Sequence, residues 1–164
     1  MQQLYLLLGS NLGDKKKYLE EAEKRIAEKL GDIQVKSSIY VSEPWGFTHK
    51  EDFFNRAILV DTNHSATDAL KICLEIENNL GRERNKTGYE ARTIDIDILL
   101  YGSEIIESKE LTAPHPQLHL RKFTLFPLYE IAPKIIHPVF KTSILELLEK
   151  CPDRGRVEKL NEHD

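Results

Sequence analysis

The sequence predicts an α+β domain with a ferredoxin-like βαββαβ antiparallel sheet, both helices on one face, and an irregular C-terminal extension. Three observations predict it. Apolar runs alternating with period two and apolar stripes at helical spacing follow one another as strand, helix, strand, strand, helix, strand. Clusters of Gly, Asn, Ser, Asp and Pro separate them. The 164 residues suit one domain, residues 1–164, and contain no repeat, linker or low-complexity segment.

Residues 3–8 form a short apolar run closed by "GSNLG", which reads as a buried strand and a turn. Leu19, Ala22, Ile26 and Leu30 follow at helical spacing, with Gly31 as the expected stop. Lys15, Lys16 and Lys17 open this helix, where the dipole disfavours cations; a solvated face explains them more simply than a phosphate site. Residues 33–41 alternate and are β-branched, a second strand. "SEPWGFTHKED" breaks the pattern, and residues 53–61 resume it as a third. Ser65 and Asp68 make a capping box before a helix whose stripe runs Ala66, Leu70, Cys73, Leu74 and Leu80, ending at Gly81. After the polar, basic loop "GRERNKTGYEAR" comes a fourth strand, residues 93–101. The tail is rich in proline and aromatics, with one more amphipathic helix expected over residues 143–150.

Hydrophobic residues make up 40% and charged residues 30%, enough for a sizeable core in a water-exposed protein. The net charge of −4 argues against a general nucleic-acid binder. No apolar run approaches the roughly 18 residues of a membrane span, and "MQQLYLLLGS" lacks the basic start of a leader peptide. Cys73 and Cys151 share no metal-ligand spacing and read as reduced thiols of a cytosolic chain.

The fourth strand, "TIDIDILLY", poses the main question. Simple alternation puts Ile94, Ile96, Ile98 and Leu100 on one face and Asp95, Asp97, Leu99 and Tyr101 on the other. Aspartate is depleted in strands. The pair is either an ordinary wet face or a site for a hard cation such as Mg²⁺, which binds one or two carboxylates together with substrate phosphates.

Glu77 sits on the core stripe of the second helix, either at its edge reaching water or paired inside. Arg82, Arg84, Lys86 and Arg92 crowd the loop before the two aspartates. Beside a carboxylate pair, such cations suit a polyphosphate. "GRERNKTG" is not a P-loop, because a glycine is missing and a strand follows instead of a helix. His115 lies between Pro114 and Pro116 in a rigid turn; the other histidines lack metal spacing. No nucleophile motif is visible.

The motifs "GSNLG", "SEPWG", "FFNRA", "RTIDIDILL", "TAPHPQLHLRKF" and "PLYEIAP", in that order, resemble the 6-hydroxymethyl-7,8-dihydropterin pyrophosphokinase family over essentially the full length. The resemblance implies transfer of pyrophosphate from ATP to the hydroxymethyl group of the pterin, releasing AMP, in folate biosynthesis. It implies that Asp95 and Asp97 are ligands of two Mg²⁺ ions. Arg82 and Arg92 become catalytic phosphate contacts in a mobile loop, with Arg84 beside them. Glu77, Ile98, Thr112, His115 and Arg121 become nucleotide contacts. The pterin falls to Ser42, Pro44, Trp45, Phe53, Asn55, Tyr89 and Phe123. A flat ring edged with donors and acceptors suits an aromatic face, an amide and backbone groups. The partners implied are small molecules, with the chain a cytoplasmic monomer bound to neither nucleic acid nor membrane.

Some residues depart from the family pattern. Phe53 stands where tyrosine is common and Tyr89 where some members have tryptophan, and Gly88 and Glu90 are also unusual. Two readings compete with the enzyme: a non-catalytic ferredoxin-like binding module, and a two-metal phosphoesterase that would hydrolyse ATP without a pterin.

Overall fold

Gly9, in the middle of the row that carries the candidate site, ends up inside a strand and not in the turn its motif suggests. The structure, a computed structural model, describes residues 1–43, 52–81 and 93–161. Its elements run β1 (Gln2–Ser10), α1 (Lys15–Lys29), β2 (Gly31–Lys36), β3 (Tyr40–Ser42), β4 (Phe53–Thr62), α2 (Ala66–Asn79) and β5 (Asp95–Tyr101). The extension adds a short hairpin of β6 (Ile106–Glu107) and β7 (Thr112–Ala113), then α3 (Lys122–Ile131), α4 (Ile144–Glu149) and β8 (Val157–Lys159).

Three helix starts carry side-chain caps, of which the one at Ser65 was expected. Asp14 accepts the N–H of Lys17 at α1, and Ser65 accepts that of Asp68 at 3.1 Å at α2. Ser143 caps α4 in the same way through Glu146. The main sheet orders its strands β5–β1–β4–β3–β8, with β2 also on β4. β1 is antiparallel to both β4 and β5. This central placing of β1 and β4 between the other two strands of the repeat is the ferredoxin-like arrangement.

The pleat divides the core in two. Leu4, Leu6 and Leu8 of β1 pack with Leu19, Ala22 and Ile26 of α1 and Ala69, Cys73 and Ile76 of α2. Tyr5 and Leu7 point the other way, to Leu125 and Leu128 of α3 and Ile144 and Leu147 of α4. The two expected helices thus share one face. The extension is more regular than expected and covers the other face with two helices. α3 escaped the sequence reading because Pro127 lies inside it and Arg121, its N-cap, makes no side-chain capping bond.

Two local expectations are corrected and a third is refined. Residues 33–41 are two strands on one partner, not one. At the break, Ser37 donates its N–H to Ala57 O at 2.9 Å and its hydroxyl accepts the Ala57 N–H at 3.0 Å, standing in for ladder bonds. Gly31 directly follows the α1 C-cap Leu30, where the stop was expected, and also opens β2; a Cβ there would stand 2.0 Å from Asp61 O, so close backbone approach requires the glycine. In β5 the register slips between Tyr5 and Leu6 of β1: Ile98 opposes Leu6 while Leu100 opposes Tyr5. The bulge leaves Leu99 extra. Leu99 and Leu100 therefore join the α3 side, and Tyr101 turns to the α1–α2 side, where its hydroxyl donates to His64 O at 2.8 Å.

Candidate active site across the sheet

Four residues lie in one cross-strand row. Gly9 opposes Asp95 on one side and Asn55 on the other, and Asn55 opposes Tyr40. Adjacent strands are about 4.8 Å apart, so Asp95 and Asn55 stand roughly 10 Å apart with glycine between them. A Cβ on Gly9 would meet Asn55 Oδ1 at 3.2 Å and Phe53 Cδ1 at 3.7 Å. Those contacts put Phe53 and Asn55 on the face that the missing side chain would occupy. Gly9 is thus a buried point of close approach beneath Asn55 and Phe53. Sequence reasoning took "GSNLG" as a turn and missed this glycine; its signal was a glycine inside a strand, where close approach is the usual reason.

Asp95 and Asp97 flank this point on β5. Asp97 opposes Leu7, a member of the α3-side core, so both carboxylates point to the face that α3 covers. Both are half-buried. Among the described residues, no three His, Cys, Asp or Glu side chains converge as a protein-only metal site. Two carboxylates on one strand face are the kind of donor set that Mg²⁺ takes when water and phosphate complete its shell. Further along the same strand Leu99 and Leu100 are buried with Leu118 and Leu125.

His115 stands beside this pair. Its N–H donates to Leu99 O at 2.9 Å, clamping the turn to β5. Burial pushes its pKa down to about 4, the charge of Arg121 acts in the same direction, and Asp95 opposes. The ring is therefore neutral near pH 7. Its Nδ1 accepts the Gln117 N–H at 3.1 Å, which leaves the proton on Nε2 as a donor. Arg121 donates to Gln117 Oε1 and holds its guanidinium 5.3 Å from the centre of the Phe123 ring. Phe123 packs against the α3-side core.

The outer edge of β5 gathers a second group. Glu77 is 2% exposed, which rules out the water-reaching alternative, and it accepts the Ile96 N–H at 2.7 Å. A buried carboxylate thereby satisfies a strand edge that has no neighbouring strand among the described residues. The Ile98 side chain is core, 4% exposed. Its backbone, two residues from Ile96, turns to the same outer edge. Thr112 is exposed on β7 nearby. Cys73 is fully buried in the same region; burial, then the charges of Glu77 and Asp97, pushes its thiol up to about 12, so it stays protonated core.

On the far side of Gly9, Asn55 is 2% exposed and donates from Nδ2 to Ser42 Oγ at 2.7 Å. That bond fixes the amide's orientation. Tyr40, next in the row, donates its hydroxyl to Glu130 at 2.7 Å, and Glu130 also accepts the Ser38 N–H at 2.7 Å, tying the end of α3 to the sheet. The structure thus brings Ser42, Phe53, Asn55, Asp95, Asp97, His115, Arg121 and Phe123 to one face, with Glu77, Ile98 and Thr112 at its edge. Pro44, Trp45, Arg82, Arg84, Tyr89 and Arg92 lie outside the described residues.

Residues 5–133 match the family model described as 7,8-dihydro-6-hydroxymethylpterin-pyrophosphokinase (HPPK). A 2-amino-4-hydroxy-6-hydroxymethyldihydropteridine pyrophosphokinase from Aquifex aeolicus is 40% identical over 147 residues, covering 89% of this chain and 90% of the relative. The protein of that name from Bacillus subtilis is 38% identical, covering 80% and 78%. A folic acid synthesis protein from Dictyostelium discoideum is 38% identical over 96% of this chain, which spans 24% of its length. Among solved structures, an HPPK-DHPS in complex with substrates superposes with a TM-score of 0.72 at 16% identity, covering 90% of this chain and 43% of that one. Plasmodium falciparum HPPK-DHPS wild type gives 0.69 at 17% identity, covering 92% and 43%. These two likenesses speak to the fold.

Proposed function

The chain belongs to the 7,8-dihydro-6-hydroxymethylpterin-pyrophosphokinase family, and we propose that the row through Gly9 is where it works. The reaction is transfer of pyrophosphate from ATP to the hydroxymethyl group of 6-hydroxymethyl-7,8-dihydropterin, giving AMP and the pterin diphosphate in folate biosynthesis. That activity replaces the binding-module and phosphoesterase readings.

One observation carries the site assignment: Asp95 and Asn55 share a sheet face on opposite sides of Gly9. On our reading the pterin lies on the Asn55 side, with Phe123 against its face. Asn55, oriented by Ser42, bonds to its edge. Phe53 in place of a tyrosine contributes contact without a hydroxyl. The triphosphate lies on the Asp95 side. Asp95 and Asp97 would hold two Mg²⁺ ions, which supply charge neutralisation to the phosphates. Neutral His115 donates from Nε2 and Arg121 supplies positive charge there. Glu77, Ile98 and Thr112 mark the adenosine end. Arg82, Arg84, Arg92 and Tyr89, with Pro44 and Trp45, complete the two sides by the family pattern.

An attacking hydroxyl aimed at the β-phosphorus needs orientation and charge stabilisation more than a protein nucleophile. The residues around Gly9 provide both, and the two substrates meet across a glycine that offers no side chain to separate them. The reading also takes the chain as a cytoplasmic monomer acting on small molecules. A sedimentation mass near twice 19.0 kDa would overturn the monomer.

The test is incubation with ATP, Mg²⁺ and the reduced pterin, followed by calorimetry on Asn55→Ala with an inert ATP analogue. The expected nucleotide product is AMP. Loss of the amide should weaken pterin binding by about 1–3 kcal/mol and leave nucleotide binding nearly unchanged. Unchanged pterin affinity in the variant removes Asn55 from the site.

A further inference from the structure

The segment Asp153 to Val157 touches each of the three elements that carry the pterin-side residues. We propose that it is a positioning arm for pterin recognition and that Asp153 is its key residue; the proposal rests on the pterin site assigned above.

The first contact is with α3. Its first N–H groups need acceptors, yet the N-cap Arg121 makes no side-chain capping bond. Asp153, 31 residues further along, supplies one: its Oδ2 accepts the Lys122 N–H at 3.0 Å. Lys122 directly precedes Phe123, so this bond sets where the aromatic ring begins its turn of helix. The second Asp153 oxygen accepts the Gly155 N–H at 2.7 Å, folding the arm back on itself.

The second contact is with the end of β3. The Arg156 N–H donates to Glu43 at 3.1 Å, and Val157 opposes Ser42 in the ladder. Ser42 is the residue that orients the Asn55 amide. The third is with the start of β4: the Arg156 guanidinium reaches Asp52 at 2.9 Å, one residue before Phe53. That ion pair is 57% and 35% exposed, and exposed pairs contribute little, so Arg156 is secondary. The turn itself is tight. A Cβ on Gly155 would stand 3.0 Å from both Asp153 Oδ1 and Glu43 Oε1, so a larger residue disturbs two attachments at once.

The bonds of this arm go to Glu43, Asp52 and Lys122 and to the ladder at Ser42. They fall on the pterin side of Gly9 and not on Asp95, Asp97, His115, Thr112 or Glu77; Arg121, one residue before Lys122, is the one nucleotide-side residue adjacent to them. An acidic residue far along the chain therefore acts on one substrate through Phe123 and Ser42, and touches neither.

The experiment compares wild type, Asp153→Ala, Asp153→Asn, Gly155→Ala and Asn55→Ala. Calorimetry gives Kd for Mg-ATP analogue alone and for pterin in its presence; steady-state kinetics gives kcat and KM. For Asp153→Ala the expected result is a pterin Kd and KM raised about tenfold, with the nucleotide Kd within about threefold and kcat at saturating pterin within about twofold. Asp153→Asn has one acceptor oxygen in place of two and should fall between. Should Asp153→Ala fail to fold, Gly155→Ala is expected to show the same split. Equal weakening for both substrates, or none in a folded variant, overturns the arm. If Asn55→Ala also binds pterin normally, the site assignment fails instead; if Asn55→Ala is weakened and the arm variants are not, the arm alone fails.

Discussion

Asp95 and Asn55 are both register partners of Gly9, so a carboxylate and an amide face one another across a single glycine. The two substrates of a transfer must meet within bonding distance, and a side chain on the central strand would stand between them. Gly9→Ala is expected to disturb this close approach. The new methyl would sit 3.2 Å from Asn55 Oδ1. Pterin affinity should fall at least about tenfold, with a small change in melting temperature because no positive φ is recorded at Gly9. Titration of the folded variant with pterin checks this; an unchanged Kd would show that nothing binds beside Gly9.

The carboxylate pair makes a prediction that needs no turnover. Asp95 and Asp97 place two like charges on one strand face, and a cation there would offset them. Mg²⁺ with an ATP analogue should raise the melting temperature of the wild type by mass action. Asp97→Asn should keep or slightly raise the ligand-free melting temperature and lose most of the Mg²⁺-dependent increase. A full increase in the variant would place the metal elsewhere.

Glu77 separates a structural task from an electrostatic one. Its carboxylate accepts the Ile96 N–H in a buried position. Glu77→Ala leaves that N–H unpaired and should cost about 1–3 kcal/mol of unfolding free energy. Glu77→Gln retains an acceptor oxygen and should cost less. Chemical denaturation distinguishes them, and equal losses would mean that the bond to β5 contributes nothing.

Acid should destabilise the fold through its buried histidines. His137 is 3% exposed, and its Nδ1 accepts the N–H groups of Val139 and Phe140. Burial, with the charge of His119, lowers its pKa to about 4. The unfolded chain takes up this proton near pH 6.5 and the folded chain only near pH 4. The stability is therefore complete above about pH 6.5 and is lost as pH falls through that window. The loss is on the order of 2–3 kcal/mol for His137, and His115 adds a loss of the same sign. His137→Asn keeps a neutral acceptor and should flatten the slope of stability between pH 6.5 and 4. A slope identical to wild type would assign acid lability to other groups.

The site was partly legible because several of its residues break a local rule. Asp95 and Asp97 are aspartates in an apolar strand, and Glu77 is a carboxylate on an apolar stripe. Asn55 and Phe123 carry no such signal; family motifs alone pointed to them. Gly9 was misread because a turn cluster and a strand glycine look alike until the register is known. Tyr101 was placed on the wrong face because one extra residue at Leu99 reverses every side chain after it.

The sequence by itself determined the βαββαβ order of the repeat, the cap at Ser65 and the family motifs, since period, capping residues and motif spacing are local properties. Tertiary structure alone decided what no short window contains. Pro127 and an uncapped start hide α3 until Asp153, from the far end of the chain, accepts the Lys122 N–H. Residues from β5, β1, β4 and β3 form one row only after antiparallel pairing fixes the register. A cross-strand neighbour is chosen by hydrogen bonds between distant segments, and no window of local sequence records which residue that will be.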